Sequence, residues 1–320
     1  MNDFNKDIII ATGGTGGHIF PSLSLATFLS NKYNLQIVSD RRGHKFLPEN
    51  INTKIKIIDS GTIFKKNILL AFLGILKIIS AFIISIYYLI FSRPKLIIGM
   101  GGYSSFPICV AGFILRIPII IYENNLIIGR ANKFLLPIVK KIMLSTDKMK
   151  GIGPKYENKI FVSGYILKES ILNSINFKKQ PAPKDELSLL IMGGSQSAKI
   201  FGEILPLEIT KCFKKGVKFK IYQQCLEDQI PEIEKLYKQS NINFQLFSFS
   251  KNMLEYYKKS DVAITRSGAS SLAELTNLRI PFIAIPLPSS ADNHQFINAK
   301  YFEKKGYCFL LEEKFISDKL

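Results

Sequence analysis

The sequence predicts an α/β protein of two doubly wound, Rossmann-like halves with parallel sheets. Three observations predict it. Short apolar runs bounded by Gly, Pro or Ser alternate with longer helical stretches along the chain. Twice such a run empties into a glycine cluster, after residue 11 and again after residue 192. The 320 residues, 47% of them hydrophobic, suffice for two cores and exceed one typical domain.

In the first half the runs at 7–11, 35–39, 95–99 and 117–121 read as strands; in the second, those at 187–192, 218–222, 261–265, 281–286 and 307–311. Strands separated by helix-length stretches need crossover connections and therefore pair in parallel. Residues 178–186, KKQPAPKDE, are polar and proline-containing and fall between the two series. The expected division is a domain over 1–163, a linker over 164–186 and a second domain over 187–320.

The first glycine cluster is Ala11-Thr-Gly-Gly-Thr-Gly-Gly-His18-Ile-Phe-Pro21. A strand end, a run of glycines and a helix expected to begin near Pro21 would bring backbone N–H groups close to an anion, with the helix dipole behind them. The bland alternative is a tight strand-to-helix turn. The spacing is not that of a dinucleotide fingerprint, for which Asp40, after the second run, is the only acid to offer.

The segment from Ile68 to Phe91 is almost wholly apolar, with Lys77 its one charge, and is long enough to cross a bilayer. A central charge disfavours a span, and spanning would put the flanking strands on opposite membrane faces, so that one sheet could not close. The expectation is a helical element of the first domain, amphipathic or hairpinned, dipping into an anionic membrane surface beside Lys65, Lys66, Lys77, Arg93 and Lys95. A buried core helix and a true span are the alternatives.

The formal charge of +18 suits a membrane, a phosphorylated substrate or a nucleic acid, and part of it reflects a general leaning on Lys, Ile and Asn. No aromatic-interleaved basic motif or zinc spacing supports nucleic acid. Four scattered cysteines fit a reduced compartment, and the N-terminus lacks signal-peptide features.

Further motifs follow in order: Gly99-Met-Gly-Gly-Tyr-Ser104; Glu123-Asn-Asn125 with Gly129 and Asn132-Lys133; Gly193-Gly-Ser-Gln196; Phe249-Ser-Lys-Asn-Met253; Arg266-Ser-Gly-Ala269 with Glu274; and Asp292-Asn-His-Gln295 with Asn298-Ala299. Together with the opening loop, this series resembles the MurG family, the N-acetylglucosaminyltransferases that complete the lipid-linked peptidoglycan precursor. The resemblance runs from about residue 8 to about residue 311.

It implies a GT-B fold, with the two parallel sheets facing an interdomain cleft. It implies an inverting, metal-independent hexosyltransferase without a cofactor. The donor would be UDP-N-acetylglucosamine and the acceptor undecaprenyl-pyrophosphoryl-N-acetylmuramoyl-pentapeptide. The place would be the cytoplasmic face of the bacterial inner membrane, as a peripheral protein in peptidoglycan synthesis, with no nucleic-acid partner.

His18 matches the residue proposed as base and is expected in a loop facing the cleft; the alternative is a His that orients acceptor or caps its helix. The acceptor and its pyrophosphate fall to Gly13, Gly14, Gly16, Gly17, Gly101, Gly102 and Tyr103. Donor binding falls to Thr15, Gly16, Asn125, Lys168, Ser195, Gln196, Ser250, Arg266, Ala269, Glu274, His294 and Gln295.

Physical sense accompanies several of these. A carboxylate at Glu274 suits ribose hydroxyls, and the Gly193 and Gly194 amides with Ser195 and Arg266 suit phosphate oxygens; the alternatives are an exposed helix-face acid at Glu274 and a surface ion pair at Arg266. Ser250 would read uracil through its backbone, and His294 with Gln295 would contact the sugar. With no Asp-x-Asp motif for a metal, helix N-termini and Arg266 would absorb the pyrophosphate charge.

Departures from the family are Tyr122 for its His, Ser197 for a Gly, and Gly164-Tyr-Ile-Leu-Lys168 for a segment ending in Arg. Family members also continue past the strand at 307–311 into further helices, so the second domain is expected to be incomplete. These departures leave two other outcomes open: a weakened or non-catalytic relative that still binds UDP-sugar or membrane, and another GT-B enzyme such as a UDP-sugar epimerase.

Overall fold

The computed structural model describes residues 7–14, 16–48, 53–61, 68–174, 186–194, 199–250 and 252–319. Thr15, Ser195, Gln196, Ser197, Lys65, Lys66 and residues 175–185 of the expected linker lie outside these. The chain forms two compact units, Met1–Lys168 and Glu169–Leu320.

The first unit runs β1 (Asp7–Ala11), α1 (Gly16–Leu29), β2 (Asn34–Ser39), α2 (Arg41–His44), β3 (Lys54–Ile57), α3 (Ile68–Ser92), β4 (Leu96–Gly99), α4 (Ser105–Ile114), β5 (Ile119–Glu123), α5 (Arg130–Leu135), β6 (Lys141–Leu144) and β7 (Ile160–Val162). Its seven strands pair in parallel in the order β3-β2-β1-β4-β5-β6-β7. The order reverses between β1 and β4, the place where such sheets accept ligands beyond their carboxyl ends.

Successive residues of β1 serve two cores. Ile9 and Ala11 pack with Ala81, Leu89, Ile108 and Leu135 from α3, α4 and α5, whereas Ile8 and Ile10 pack with Ile19 and Ala26 from α1. Helices on both faces explain why β1 is an unbroken apolar run rather than an alternating one.

Two expectations change here. First, α1 begins at Gly16, ahead of Pro21, so His18 stands in the helix's first turn and not in a loop. Pro21 has no N–H for the carbonyl of Gly17 one turn back. That carbonyl instead accepts from Asn124 Nδ2 at 3.1 Å, so a helix that sequence rules would start at Pro21 begins earlier.

Second, the 68–91 segment is one continuous helix, neither hairpinned nor a core helix. Only 17% of its most apolar stretch is buried. Gly74, Ala81, Ser85 and Leu89, one step of seven residues and two of four, form the buried side, and α4 is its main neighbour. The strands on either side, β3 and β4, belong to the same parallel sheet, so α3 is its crossover and returns the chain to the sheet it left. That topology argues against a span.

The second unit runs α6 (Glu169–Leu172), β8 (Leu187–Met192), α7 (Lys199–Glu203), α8 (Leu205–Lys214), β9 (Phe219–Gln224), α9 (Ile230–Gln239), β10 (Asn243–Phe247), α10 (Met253–Lys259), β11 (Val262–Arg266), α11 (Ala269–Asn277), β12 (Phe282–Ile285), α12 (His294–Lys304), β13 (Cys308–Leu310) and α13 (Ile316–Lys319). Its six strands are parallel in the order β10-β9-β8-β11-β12-β13, the doubly wound nucleotide-binding arrangement. Leu189, Ile191, Phe201, Ile221, Tyr237, Ile264 and Ile285 build its core.

Candidate active site

In the first unit the loops after β1 and β4 meet at the switch point. A Cβ on Gly13 would overlap the Ser104 side chain, so the first loop lies directly on the second. Gly101 has φ +92°, and a Cβ there would stand 2.9 Å from Cε1 and Nδ1 of His18. Glycine is needed at Gly101 both for its backbone and for the imidazole. His18, Gly13, Gly101, Gly102 and, half-buried beside them, Tyr103 are thus brought together, with Gly16 and Gly17 opening α1.

Asp40 organises this loop. Its Oδ1 accepts from the backbone N–H of Gly14 at 2.9 Å and of Gly43 at 2.8 Å, and Oδ2 accepts from Arg42 Nε and Nη2. The Gly14 amide, expected to face pyrophosphate, is therefore committed to Asp40. Burial pushes the carboxyl's pKa up, but the two amides and Arg42 outweigh it and hold it below its ordinary 3.8. A depressed carboxyl contributes stability that is full above about pH 4 and fades as pH falls through the folded-state value. Asp40→Asn is expected to be less stable than wild type by about 1–3 kcal/mol at neutral pH. Denaturant unfolding from pH 7 to pH 3 should show that gap narrowing below pH 4; a gap constant with pH would mean the charge is immaterial.

Glu123, buried at the end of β5, is a second hub. Oε1 accepts from Asn125 N and Nδ2 at 3.1 and 3.0 Å, and Oε2 from Gly129 N and Asn132 Nδ2 at 2.9 and 3.0 Å. Asn125, expected at the donor, is held in place by this carboxylate. Glu123→Gln would set an amide NH2 against two of those donors, at a cost of about 2 kcal/mol. For a unit of this size the midpoint of its thermal transition should drop by roughly 4–8 °C. An unchanged midpoint would show that the hub is dispensable.

Tyr122 and the 164–168 segment, both departures from the family, accommodate each other: the Tyr122 hydroxyl accepts from Ile166 N at 3.2 Å. Lys168 places its ammonium 4.8 Å from the centre of the Phe20 ring on α1.

In the second unit, Gly193 and Gly194 follow β8. The Ser267-Gly268-Ala269 turn after β11 is clasped by α12: Gln295 Oε1 accepts from Ser267 N at 3.2 Å and from Leu287 N at 3.0 Å, while Asn298 Nδ2 donates to Ser267 O. Ala269 is the first residue of α11, Glu274 its sixth. His294 Nδ1 lies 2.8 Å from the carbonyl of Ala291, and Ser250 Oγ accepts from Asn252 N at 3.1 Å.

Arg266, expected at the donor's phosphates, is engaged by groups of its own unit. Its guanidinium is buried, donates to the carbonyls of Ile285 and Pro286, pairs with Glu313 and lies over the Phe201 ring at 4.7 Å. In this geometry it fastens the end of β12 to the turn before α13.

Asp40, Asn124, Tyr257 and Glu313, which support these loops, are not among the residues to which the sequence assigns a site role. An acid ending a strand, as at Asp40 and Glu123, was the one visible signal, since such a carboxylate lies where neighbouring backbone N–H groups converge.

The profile of the glycosyltransferase family 28 N-terminal domain matches residues 8–144, and that of the family 28 C-terminal domain matches residues 188–320. A relative from Pelagibacter ubique is 37% identical over 98% of this chain and 87% of its own length. Another from Rickettsia felis is 38% identical over 98% and 88%. Both are named UDP-N-acetylglucosamine--N-acetylmuramyl-(pentapeptide) pyrophosphoryl-undecaprenol N-acetylglucosamine transferase. The crystal structure of Acinetobacter baumannii MurG superposes with a TM-score of 0.73 at 25% identity, covering 97% of this chain and 86% of that one.

Proposed function

Since the chain belongs to the MurG family, whose two halves are the glycosyltransferase family 28 domains, we propose that it moves N-acetylglucosamine from UDP-N-acetylglucosamine to the C4 hydroxyl of undecaprenyl-pyrophosphoryl-N-acetylmuramoyl-pentapeptide. The likeness over 98% of the chain to transferases of that name is the observation that carries this reading. Neither a non-catalytic relative nor an epimerase is favoured by it.

In the proposed reaction, His18 takes the proton of the acceptor's C4 hydroxyl while that oxygen forms a bond to C1 of the sugar. The bond from C1 to the UDP oxygen breaks on the opposite face, UDP leaves with the electron pair, and the configuration inverts. The Gly193 and Gly194 amides and the N-terminus of α11 offset the charge growing on the pyrophosphate. Glu274 accepts from the ribose hydroxyls, and the Ser250 backbone meets the base. Because Gln295 Oε1 already serves two backbone amides, its Nε2 is the end that addresses a sugar hydroxyl. Arg266 acts by holding the loops and not by touching phosphate.

The protein would work at the cytoplasmic face of the bacterial inner membrane, resting on the exposed face of α3. Radiolabelled UDP-N-acetylglucosamine incubated with purified protein, acidic-lipid vesicles and the lipid-linked muramoyl-pentapeptide should yield labelled disaccharide lipid. Intact UDP binding with no label in lipid would sink the proposal.

A further inference from the structure

Glu274, the carboxylate read as the ribose acid, does not stand alone. Its Oε2 accepts a hydrogen bond from the hydroxyl of Tyr257 at 2.7 Å. Tyr257 is 3% exposed, and a buried phenol needs a partner for its hydroxyl. Burial and the neighbouring carboxylate push that hydroxyl's pKa well above its ordinary 10, so it stays a donor throughout the working range.

The position of Tyr257 is itself fixed. It belongs to α10, which starts at Met253, the last residue of the Phe249–Met253 segment read as the uracil loop. The next residue back, Tyr256, stacks on Phe247 with ring centres 4.2 Å apart and planes at 17°, and meets Tyr222 edge-on at 5.8 Å. These contacts bind α10 to β9 and β10. One short helix therefore has the base-reading loop at its start and the partner of the ribose acid in its last turn.

We propose that Tyr257 is a positioning residue of the donor site: its hydroxyl holds one oxygen of Glu274, so that the carboxylate meets the 2′ and 3′ hydroxyls of a uridine nucleotide already oriented. This rests on reading Glu274 as the ribose acid. A glutamate on a helix otherwise loses side-chain freedom on binding, and a preset carboxylate avoids part of that loss. A structural tyrosine would stabilise the unit without regard to what the ribose carries, whereas a positioning tyrosine affects only ligands that bear the hydroxyls.

The test is calorimetric binding of UDP and 2′,3′-dideoxy-UDP to the full chain as wild type, Tyr257→Phe and Glu274→Gln. Tyr257→Phe removes one oxygen, and the selectivity between the two ligands is read on folded protein only, so partial unfolding does not imitate the effect. Wild type should prefer UDP. Tyr257→Phe should bind UDP roughly tenfold more weakly, about the worth of one hydrogen bond to a charged group, and 2′,3′-dideoxy-UDP, which lacks both hydroxyls, nearly as well as before. In turnover the same variant should raise KM for the donor with kcat almost unchanged, as lost uniform binding does. If Tyr257→Phe weakens both ligands equally, or neither, the positioning role is overturned while the ribose reading stands. If Glu274→Gln leaves the selectivity intact, the ribose reading fails and the positioning role with it.

Discussion

His18→Ala is expected to lower kcat by about two to four orders of magnitude, the usual worth of a general base, while UDP binding changes by no more than a few-fold. The expectation rests on placement. His18 is the third residue of α1, half-buried, with its ring against the backbone of Gly101 where no Cβ fits. A histidine serving only as a helix cap would not need a glycine of another loop against its ring. Ser22 Oγ donates to the His18 carbonyl at 2.6 Å and Asn124 donates to that of Gly17, so the backbone under the imidazole is fixed from two sides. A second variant separates the imidazole's chemistry from its mere presence. Gly101→Ala keeps His18 but forces a methyl to 2.9 Å from its ring at a backbone angle that L residues rarely adopt. It should lose most of the same activity through displacement, since a shift of about 1 Å costs on the order of a hundredfold. Single-turnover transfer with saturating donor measures both. If His18→Ala turns over at a tenth of the wild-type rate or faster, another group is the base.

Much of the fold was legible because both sheets are covered by helices. Strands buried on two faces read as continuous apolar runs, and β1, β4, β8 and β11 lie within a residue of their expected bounds. Four strands escaped: β6, an interior strand of only four residues, Lys-Ile-Met-Leu, and three edge strands that carry a weaker signal. β3 is Lys-Ile-Lys-Ile at one sheet edge, β7 a three-residue edge strand, and β10 an edge strand with polar residues at alternate positions. In the site, the glycine loops and His18 were visible as local patterns. What supports them was not, because it comes from elsewhere in the chain: Asn124 satisfies the carbonyl freed by Pro21, Asp40 holds Gly14 from 26 residues away, and Glu313 takes the guanidinium of Arg266. Arg266 shows the limit most clearly. Its residue type suits a phosphate, but only the fold shows the acid that pairs with it.

Replacing Ile79 and Ile83 together by Glu is expected to abolish binding to acidic-lipid vesicles while leaving the fold intact. Both side chains are exposed, at 49% and 61%, as are Phe72, Leu76, Tyr87 and Phe91 on the same helix. Contiguous exposed apolar surface of this kind marks a membrane or partner interface. A helix lying in the interface is held by buried apolar side chains and by cations near lipid phosphates, here Lys77, Arg93 and Lys95, all exposed. Each isoleucine withdrawn from lipid forfeits about 1.5–3 kcal/mol, so the pair should weaken partitioning more than a hundredfold, before the repulsion of two new carboxylates from an anionic surface is counted. Neither position is on the buried side of α3, so thermal unfolding should stay within a degree or two. By contrast, Ala81→Glu, on the packed side, should destabilise the first unit. Vesicle sedimentation with and without anionic lipid separates the two contributions: the apolar part persists in high salt, and the part due to Lys77, Arg93 and Lys95 does not. Undiminished sedimentation of the Ile79 and Ile83 variant would remove α3 as the docking face. A helix that returns the chain to its own sheet would then carry an apolar surface meant for a protein partner.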